Sequence, residues 1–332
     1  MTTCTVVGAG AWGTALADLL ARNGHRTRLW ARETDVVESV NSRHENARFL
    51  AGFALHESLS ATDDMNAALD GTELVVYAAP SHVLRRVVRG GAGAVPANAV
   101  VAVATKGIEE DSLSVMTDVV ASELRGQLVV ALSGPSFAAE VARRQPTAVV
   151  AASADPAAAL VVQRAASGGD FRVYTHDDVL GVELGGSLKN VMAVAAGMVE
   201  GLGLGYNSRA ALITRGLAEM TRLGTALGAS PATFAGLAGI GDLVLTCTGG
   251  LSRNRAVGLE IGQGKTLAEA VEGKETVAEG VVTARSAHAL ALRSGVEMPI
   301  VAAVHGILFD GRPAREAIGE LMRRELRPEQ DG

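Results

Sequence analysis

Two lysines stand where a cation can act on a substrate. Lys106 follows the apolar run Val100 to Ala104 in Ala104-Thr105-Lys106-Gly107, and residues just past a buried parallel strand face the ligand crevice of an open α/β sheet. An ordinary surface lysine is the competing reading. Lys189 lies in Glu183-Leu184-Gly185-Gly186-Ser187-Leu188-Lys189-Asn190-Val191-Met192-Ala193, where helical spacing sets Gly185, Gly186 and Ala193 beside it and leaves its ammonium in nearly bare surroundings. With that clearance the ammonium can meet a substrate carbonyl, stabilise the oxyanion formed as hydride arrives, and deliver the proton. Asn190 either orients this helix or a cofactor amide, or simply packs between helices.

A third candidate is Gly249-Gly250-Leu251-Ser252-Arg253-Asn254-Arg255, leading into a helical run. Backbone N–H groups at a helix start, Ser and Asn side chains and an arginine fork suit a small phosphate dianion; a plain helix cap with solvated arginines is the alternative. Asp242, in Gly239-Ile240-Gly241-Asp242-Leu243, is close enough in sequence to share that pocket, where it would bind a substrate hydroxyl and keep Lys189 charged. The histidines show no metal-ligand spacing, and no nucleophile elbow for acyl transfer is present.

Hydride chemistry needs a dinucleotide, and the chain opens with a place for one. Thr3-Cys4-Thr5-Val6-Val7 reads as a strand, runs into Gly8-Ala9-Gly10-Ala11-Trp12-Gly13, and continues into the helical Thr14-Ala15-Leu16-Ala17-Asp18-Leu19-Leu20. The first glycine allows the tight turn, the second lets backbone approach a pyrophosphate, and the third lets helix meet strand. An ordinary glycine-rich turn is the bland alternative. At the end of the second strand-like run, Leu29-Trp30-Ala31 is followed by Arg32 and Glu33. An arginine there stacks on adenine and pairs with a 2′-phosphate, so NADPH is expected to serve at least as well as NADH, unless Arg32 is only a solvated surface charge.

The elements that position these residues follow from periodicity. Cys4 to Val7, Thr27 to Trp30, Leu74 to Ala79, Val100 to Ala104, Leu128 to Leu132, Ala148 to Ala152 and Arg172 to Tyr174 are short continuous apolar runs, as in parallel strands buried on both faces. Between them Ala11 to Asn23, Val83 to Arg89 and Leu113 to Leu124 have helical spacing. After about Asp177 the strand-like runs stop, and Val179 to Glu200, Arg209 to Leu227, Thr266 to Val271, Val281 to Ser294 and Met298 to Leu308 read as helices. The expected architecture is α/β: a Rossmann-like doubly wound sheet domain over residues 1–177 and an all-helical domain over 178–332.

Bulk properties agree. The chain has 332 residues, enough for two cores, with 48% hydrophobic but only 3% aromatic residues, so Ala, Val and Leu must build the interior. A formal charge of -6 argues against a nucleic-acid partner. Cys4 and Cys247 cannot make a disulfide framework and are expected to be core residues. The uncharged stretch Leu223 to Gly241 carries Pro231 and many small residues, so no membrane span is expected, and without a basic segment ahead of the first apolar run the expected location is the cytoplasm.

Taken together, Gly8 to Ala17, Ala104-Thr105-Lys106-Gly107, Ser133-Gly134-Pro135-Ser136-Phe137-Ala138, Leu188-Lys189-Asn190 and Ser252-Arg253-Asn254 resemble the bacterial-type NAD(P)-dependent glycerol-3-phosphate dehydrogenases, in order over nearly the whole chain. The resemblance implies reduction of dihydroxyacetone phosphate to sn-glycerol 3-phosphate, supply of glycerophospholipid synthesis, and a homodimer. It implies proton transfer by Lys189, with Lys106 and Asp242 completing the catalytic set, and substrate contacts from these three together with Gly134, Ser136, Ser252, Arg253 and Asn254. It implies a cofactor site built from Gly8, Gly10, Ala11, Trp12 and Gly13, lined further by Arg32, Lys106, Ala138, Arg253, Val277 and Glu279. Ala11 and Ala51 depart from the family's usual Ser and Pro. A β-hydroxyacid or 6-phosphogluconate dehydrogenase shares the two-domain plan and is the rival enzyme; a nicotinamide-binding sensor without chemistry is the rival of another class.

Overall fold

The computed structural model describes residues 1–273, 278–326, 328 and 329 of the chain, which divides into two compact units. Residues 1–106 and 116–179 form the first. Its strands are β1 (Thr3–Val7), β2 (Arg26–Trp30), β3 (Glu45–Asn46), β4 (Leu50–Ala54), β5 (Ser60–Thr62), β6 (Leu74–Tyr77), β7 (Val100–Val103), β8 (Leu128–Ser133), β9 (Thr147–Ala152) and β10 (Phe171–His176). Its helices are α1 (Ala11–Arg22), α2 (Thr34–Arg43), α3 (Met65–Leu69), α4 (Ser81–Gly91), α5 (Met116–Glu123), α6 (Ala138–Ala142) and α7 (Pro156–Ala166).

An 8-stranded sheet runs in the order β10-β9-β8-β7-β6-β1-β2-β5. Residues on both faces of its central strands are buried, Val6 and Ala102 on one side and Val75, Tyr77 and Val101 on the other, which is why those strands read as unbroken apolar runs. One expectation needs correcting: β8 and β9 pair antiparallel, so β9 and β10 run against the rest. The short α6 is all that joins β8 to β9, and an antiparallel neighbour needs no long crossover. The edge strand β5 was not legible as a strand; it pairs with β2 over Arg28↔Ser60 to Trp30↔Thr62.

The described residues of 107–115 and 180–332 make up the second unit. Its helices are α8 (Val179–Gly201), α9 (Tyr206–Ala226), α10 (Pro231–Phe234), α11 (Asp242–Thr248), α12 (Arg253–Gly262), α13 (Leu267–Val271), α14 (Glu279–Arg293), α15 (Pro299–Phe309) and α16 (Ala314–Met322). Ile108 and Val115 bury in its core, and Gly107 N–H donates to Ser187 Oγ at 2.9 Å, so a loop following Lys106 in the chain belongs with α8.

α8 and the segment Pro231–Thr248 are long and apolar enough to cross a membrane, but α8 is mostly buried as the core helix of its unit and carries Glu183 and Lys189. The second segment is interrupted at Gly239, whose φ of -96° and ψ of -106° are not helical. α8 and α12 touch backbone to backbone: a Cβ on Gly197 would fall 2.0 Å from the Arg255 carbonyl oxygen, and one on Gly258 2.0 Å from that of Val194. Only glycine permits that approach.

Candidate active site

The glycine turn between β1 and α1 is shaped by what a side chain would hit. Gly8 has φ +115°, and a Cβ on Gly13 would lie 1.9 Å from the Gly8 carbonyl oxygen, so helix and strand meet only because position 13 is bare. Gly10 caps α1 with no side-chain hydrogen bond and has open space where a Cβ would stand. Ala11 and Trp12 start the helix, and α1 has no acidic residue in its first turn. Trp12 Nε1 is buried with no partner among the described residues. Uncapped N–H groups, the positive end of a helix dipole, an open face over Gly10 and an orphaned donor fit a pyrophosphate-bearing dinucleotide.

Ala11, Trp12 and Ala138, the last opening α6, each pack against the same core cluster. Sequence reasoning missed Asn46. Its buried Nδ2 donates to the Ala9 carbonyl at 2.9 Å and to Thr14 Oγ1 at 2.8 Å, fixing the turn from below. Arg32 follows β2 as expected, 78% exposed, but its guanidinium is held by Glu33: Nη2 to Oε1 is 2.8 Å and Nε to Oε1 3.2 Å.

On the same unit Lys106, Gly134 and Ser136 converge on one atom. Lys106 Nζ donates to the Gly134 carbonyl at 3.0 Å, and Ser136 Oγ donates to the same oxygen at 2.9 Å. Gly134 adopts φ +137°, with Val149 Cα 2.9 Å from where its Cβ would be. Position 134 therefore admits only glycine, and the turn after β8 presents its carbonyl to the lysine.

In the helical unit Lys189 is 7% exposed and Asp242 1%. Lys189 Nζ donates to Asp242 Oδ1 at 2.9 Å and to Thr246 Oγ1 at 2.7 Å. Thr246 donates its own hydroxyl to the Asp242 carbonyl at 2.7 Å, which turns an oxygen lone pair toward the ammonium. Thr246 escaped the sequence reading; the available signal was its i+4 spacing from Asp242.

One side of the bare face around Lys189 is occupied by backbone. A Cβ on Gly185 would stand 2.5 Å from the Ala238 carbonyl oxygen, so that side is filled by the backbone just before α11. The glycine lets α11 come close enough for Asp242 and Thr246 to reach the lysine. Cys247, next along α11, is fully buried, and burial pushes its thiol up to about 12, with the Lys189 charge opposing the shift.

The start of α12 is capped from its own sequence. Ser252 is the cap: its Oγ accepts from Arg255 N–H at 3.2 Å. Asn254 turns inward, its Nδ2 donating to Asn190 Oδ1 at 2.8 Å and its Oδ1 accepting from Gly280 N–H at 2.8 Å. Arg253 remains exposed, yet protein packed around its guanidinium draws its pKa below the ordinary value while Glu279 pulls the other way. Glu279 opens α14; Val277 lies outside the described residues.

Comparison with known proteins gives one answer across the chain. Family models for the NAD-dependent glycerol-3-phosphate dehydrogenase N-terminus and C-terminus match residues 3–159 and 178–319. A glycerol-3-phosphate dehydrogenase [NAD(P)+] of Geobacter sp. (strain M21) is 53% identical over 327 residues, covering 98% of each chain, and one of Myxococcus xanthus (strain DK1622) is 51% identical, covering 99% of each. The crystal structure of glycerol-3-phosphate dehydrogenase from Coxiella burnetii superposes with a TM-score of 0.93 at 42% identity, covering 97% of this chain and 99% of that one. The enzyme of Saccharomyces cerevisiae superposes with a TM-score of 0.84 at 28% identity over the same shares.

Proposed function

The chain belongs to the NAD-dependent glycerol-3-phosphate dehydrogenase family, and from that premise we propose that it reduces dihydroxyacetone phosphate to sn-glycerol 3-phosphate at the expense of NADPH or NADH. The observation that carries the chemistry is the buried Lys189 held between Asp242 and Thr246.

When bound, the reduced nicotinamide supplies a hydride to the substrate C2. Lys189 meets the negative charge that grows on the carbonyl oxygen and transfers a proton to it, so one hydride and one proton turn C=O into H–C–O–H. Asp242 and Thr246 hold the ammonium in one rotamer, so no side-chain reorganisation is needed as charge develops. Lys106, with Gly134 and Ser136, supplies further substrate contacts. The start of α12 receives the phosphate through its backbone N–H groups and the Arg253 guanidinium.

In the sheet unit Gly8, Gly10, Ala11, Trp12 and Gly13 would hold the pyrophosphate, Arg32 the adenosine end, and Ala138 would flank them; from the helical unit Arg253 and Glu279 would contribute to cofactor binding. We further assign the enzyme to the cytoplasm as a homodimer feeding glycerophospholipid synthesis, on the strength of the family likeness; sedimentation and cell fractionation test the first two.

NADPH oxidation with dihydroxyacetone phosphate is the direct assay. Lys189→Ala is expected to lower kcat by about three orders of magnitude while cofactor binding holds, the scale of a lost general acid that also stabilises charge. Activity on 3-hydroxyacids or 6-phosphogluconate, with none on dihydroxyacetone phosphate, would transfer the assignment to the rival dehydrogenases.

A further inference from the structure

Three buried residues that flank the reacting groups form a directional chain. Gly280 N–H donates to Asn254 Oδ1 at 2.8 Å, Asn254 Nδ2 donates to Asn190 Oδ1 at 2.8 Å, and Asn190 Nδ2 leans on the Gly186 carbonyl at 3.4 Å. The amide orientations are set by chemistry, since a backbone N–H can face only an oxygen and each later amide must then present oxygen to the nitrogen before it. The chain joins the first turn of α14 to the first turn of α12 and then to α8, one residue past Lys189.

Space enforces the same junction. A Cβ on Gly280 would sit 2.3 Å from the Asn190 carbonyl oxygen, against helix backbone that cannot rotate away, and 3.0 Å from Asn254 Oδ1. The φ of Gly280 is not positive, so glycine is required here by contact and not by conformation. Glu279 precedes this point and Arg253 precedes Asn254, and the charge of Glu279 is felt at Arg253.

We propose that Gly280 and Asn254 are positioning residues: together they fix Glu279 and Arg253, the helical unit's contribution to cofactor binding, at a set distance from Lys189. The role rests on the dehydrogenase reading given above. It gives Asn254 a task separate from touching substrate, because both ends of its amide are engaged within the protein.

The test measures NADPH affinity by fluorescence titration, with melting temperature and steady-state kinetics alongside, in wild type, Gly280→Ala, Asn254→Ala and the double variant. A positioning role predicts that each single variant weakens NADPH binding about tenfold, the scale of one hydrogen bond to the cofactor lost through misplacement, and that the double variant is no worse than the poorer single one, since both break the same tie. If Asn254 acts only on substrate, Asn254→Ala raises the KM for dihydroxyacetone phosphate at unchanged NADPH affinity, and the proposal fails. It fails equally if folded Gly280→Ala binds NADPH as wild type does, or if the two losses add in full. Should Gly280→Ala not fold, the NADPH affinity of Asn254→Ala decides alone. Wild type that turns over no dihydroxyacetone phosphate but binds NADPH would remove the functional reading and leave the positioning measurement intact.

Discussion

The ammonium of Lys189 and the carboxylate of Asp242 come from helices far apart in sequence, meet at 2.9 Å, and have 8% and 1% of their side chains exposed. Both side chains are nearly closed off from bulk water, so breaking the pair leaves a charge where solvation is poor. Asp242→Asn therefore strands a buried cation and is expected to cost about 3–5 kcal/mol of stability as well as activity. The double variant Lys189→Met with Asp242→Asn removes both charges at similar volume and should recover most of that stability while staying inactive. Thermal denaturation of the three proteins separates the cost of an unpaired charge from the catalytic loss; a double variant as unstable as Asp242→Asn would show that the pair is not the issue.

How much of this was readable from the chain depends on how local each feature is. Gly8, Gly10 and Gly13 act within one turn, so their spacing, set between a strand-like run and a helical one, made the shape of that turn legible. The central strands announced themselves because burial on both faces leaves few polar positions, Thr5 in β1 being one. The reversal of β9 left no trace, since a strand buried on both faces has the same composition in either direction. The i+4 spacing of Thr246 from Asp242 was a signal without a destination, and the inward turn of Asn254 left none, because both contacts depend on helix approaches made possible by bare positions at Gly185 and Gly280. Glycine spacing signals that something comes close without saying what. Around Lys189 it is the Ala238 backbone that does so on the Gly185 side.

Cofactor choice should turn on Arg32 and Glu33 together. Glu33 holds the guanidinium at 2.8 Å, and a 2′-phosphate must compete with it. Arg32→Ala is expected to reduce kcat/KM for NADPH by about 10- to 100-fold, the worth of hydrogen bonds to a charged group, with NADH little affected. Glu33→Gln should shift preference toward NADPH by a few-fold only, because an exposed ion pair contributes roughly 0–1 kcal/mol. Steady-state kinetics with both cofactors check this. An unchanged ratio in Arg32→Ala would make Arg32 a plain surface charge.

The packing of α8 on α12 predicts unusual sensitivity to a single methyl group. At Gly258 a Cβ would lie 2.0 Å from the Val194 carbonyl oxygen and 2.8 Å from its carbon, both backbone atoms. The helices must separate to admit it, so Gly258→Ala is expected to destabilise by about 1–3 kcal/mol or more, although alanine is the better helix former. Because α8 carries Lys189 and α12 carries Arg253, the same shift should raise the KM for dihydroxyacetone phosphate. Gly90→Ala, with open space around the glycine, is the control and should be neutral or slightly stabilising.

Glu219 on α9 gives the fold a pH dependence of a particular sign. It is 3% exposed, and its carboxylate accepts from Ile300 N–H at 2.7 Å and Val301 N–H at 3.3 Å, standing in for the cap that α15 lacks. Burial raises its pKa from 4.5 to about 7, while the two backbone hydrogen bonds and the nearby Arg222 and Arg215 charges pull it back. The folded protein therefore holds this proton more tightly than the unfolded chain does. The stabilisation is fully present below the unfolded value and is lost as pH climbs from about 4.5 to about 7, a loss on the order of 3 kcal/mol. Glu219→Gln cannot titrate, so its stability should fall less than that of wild type between pH 5 and 8, though it starts lower because one of the two N–H groups loses its acceptor. Urea unfolding at a series of pH values measures both slopes, and parallel curves would exclude Glu219 as their source.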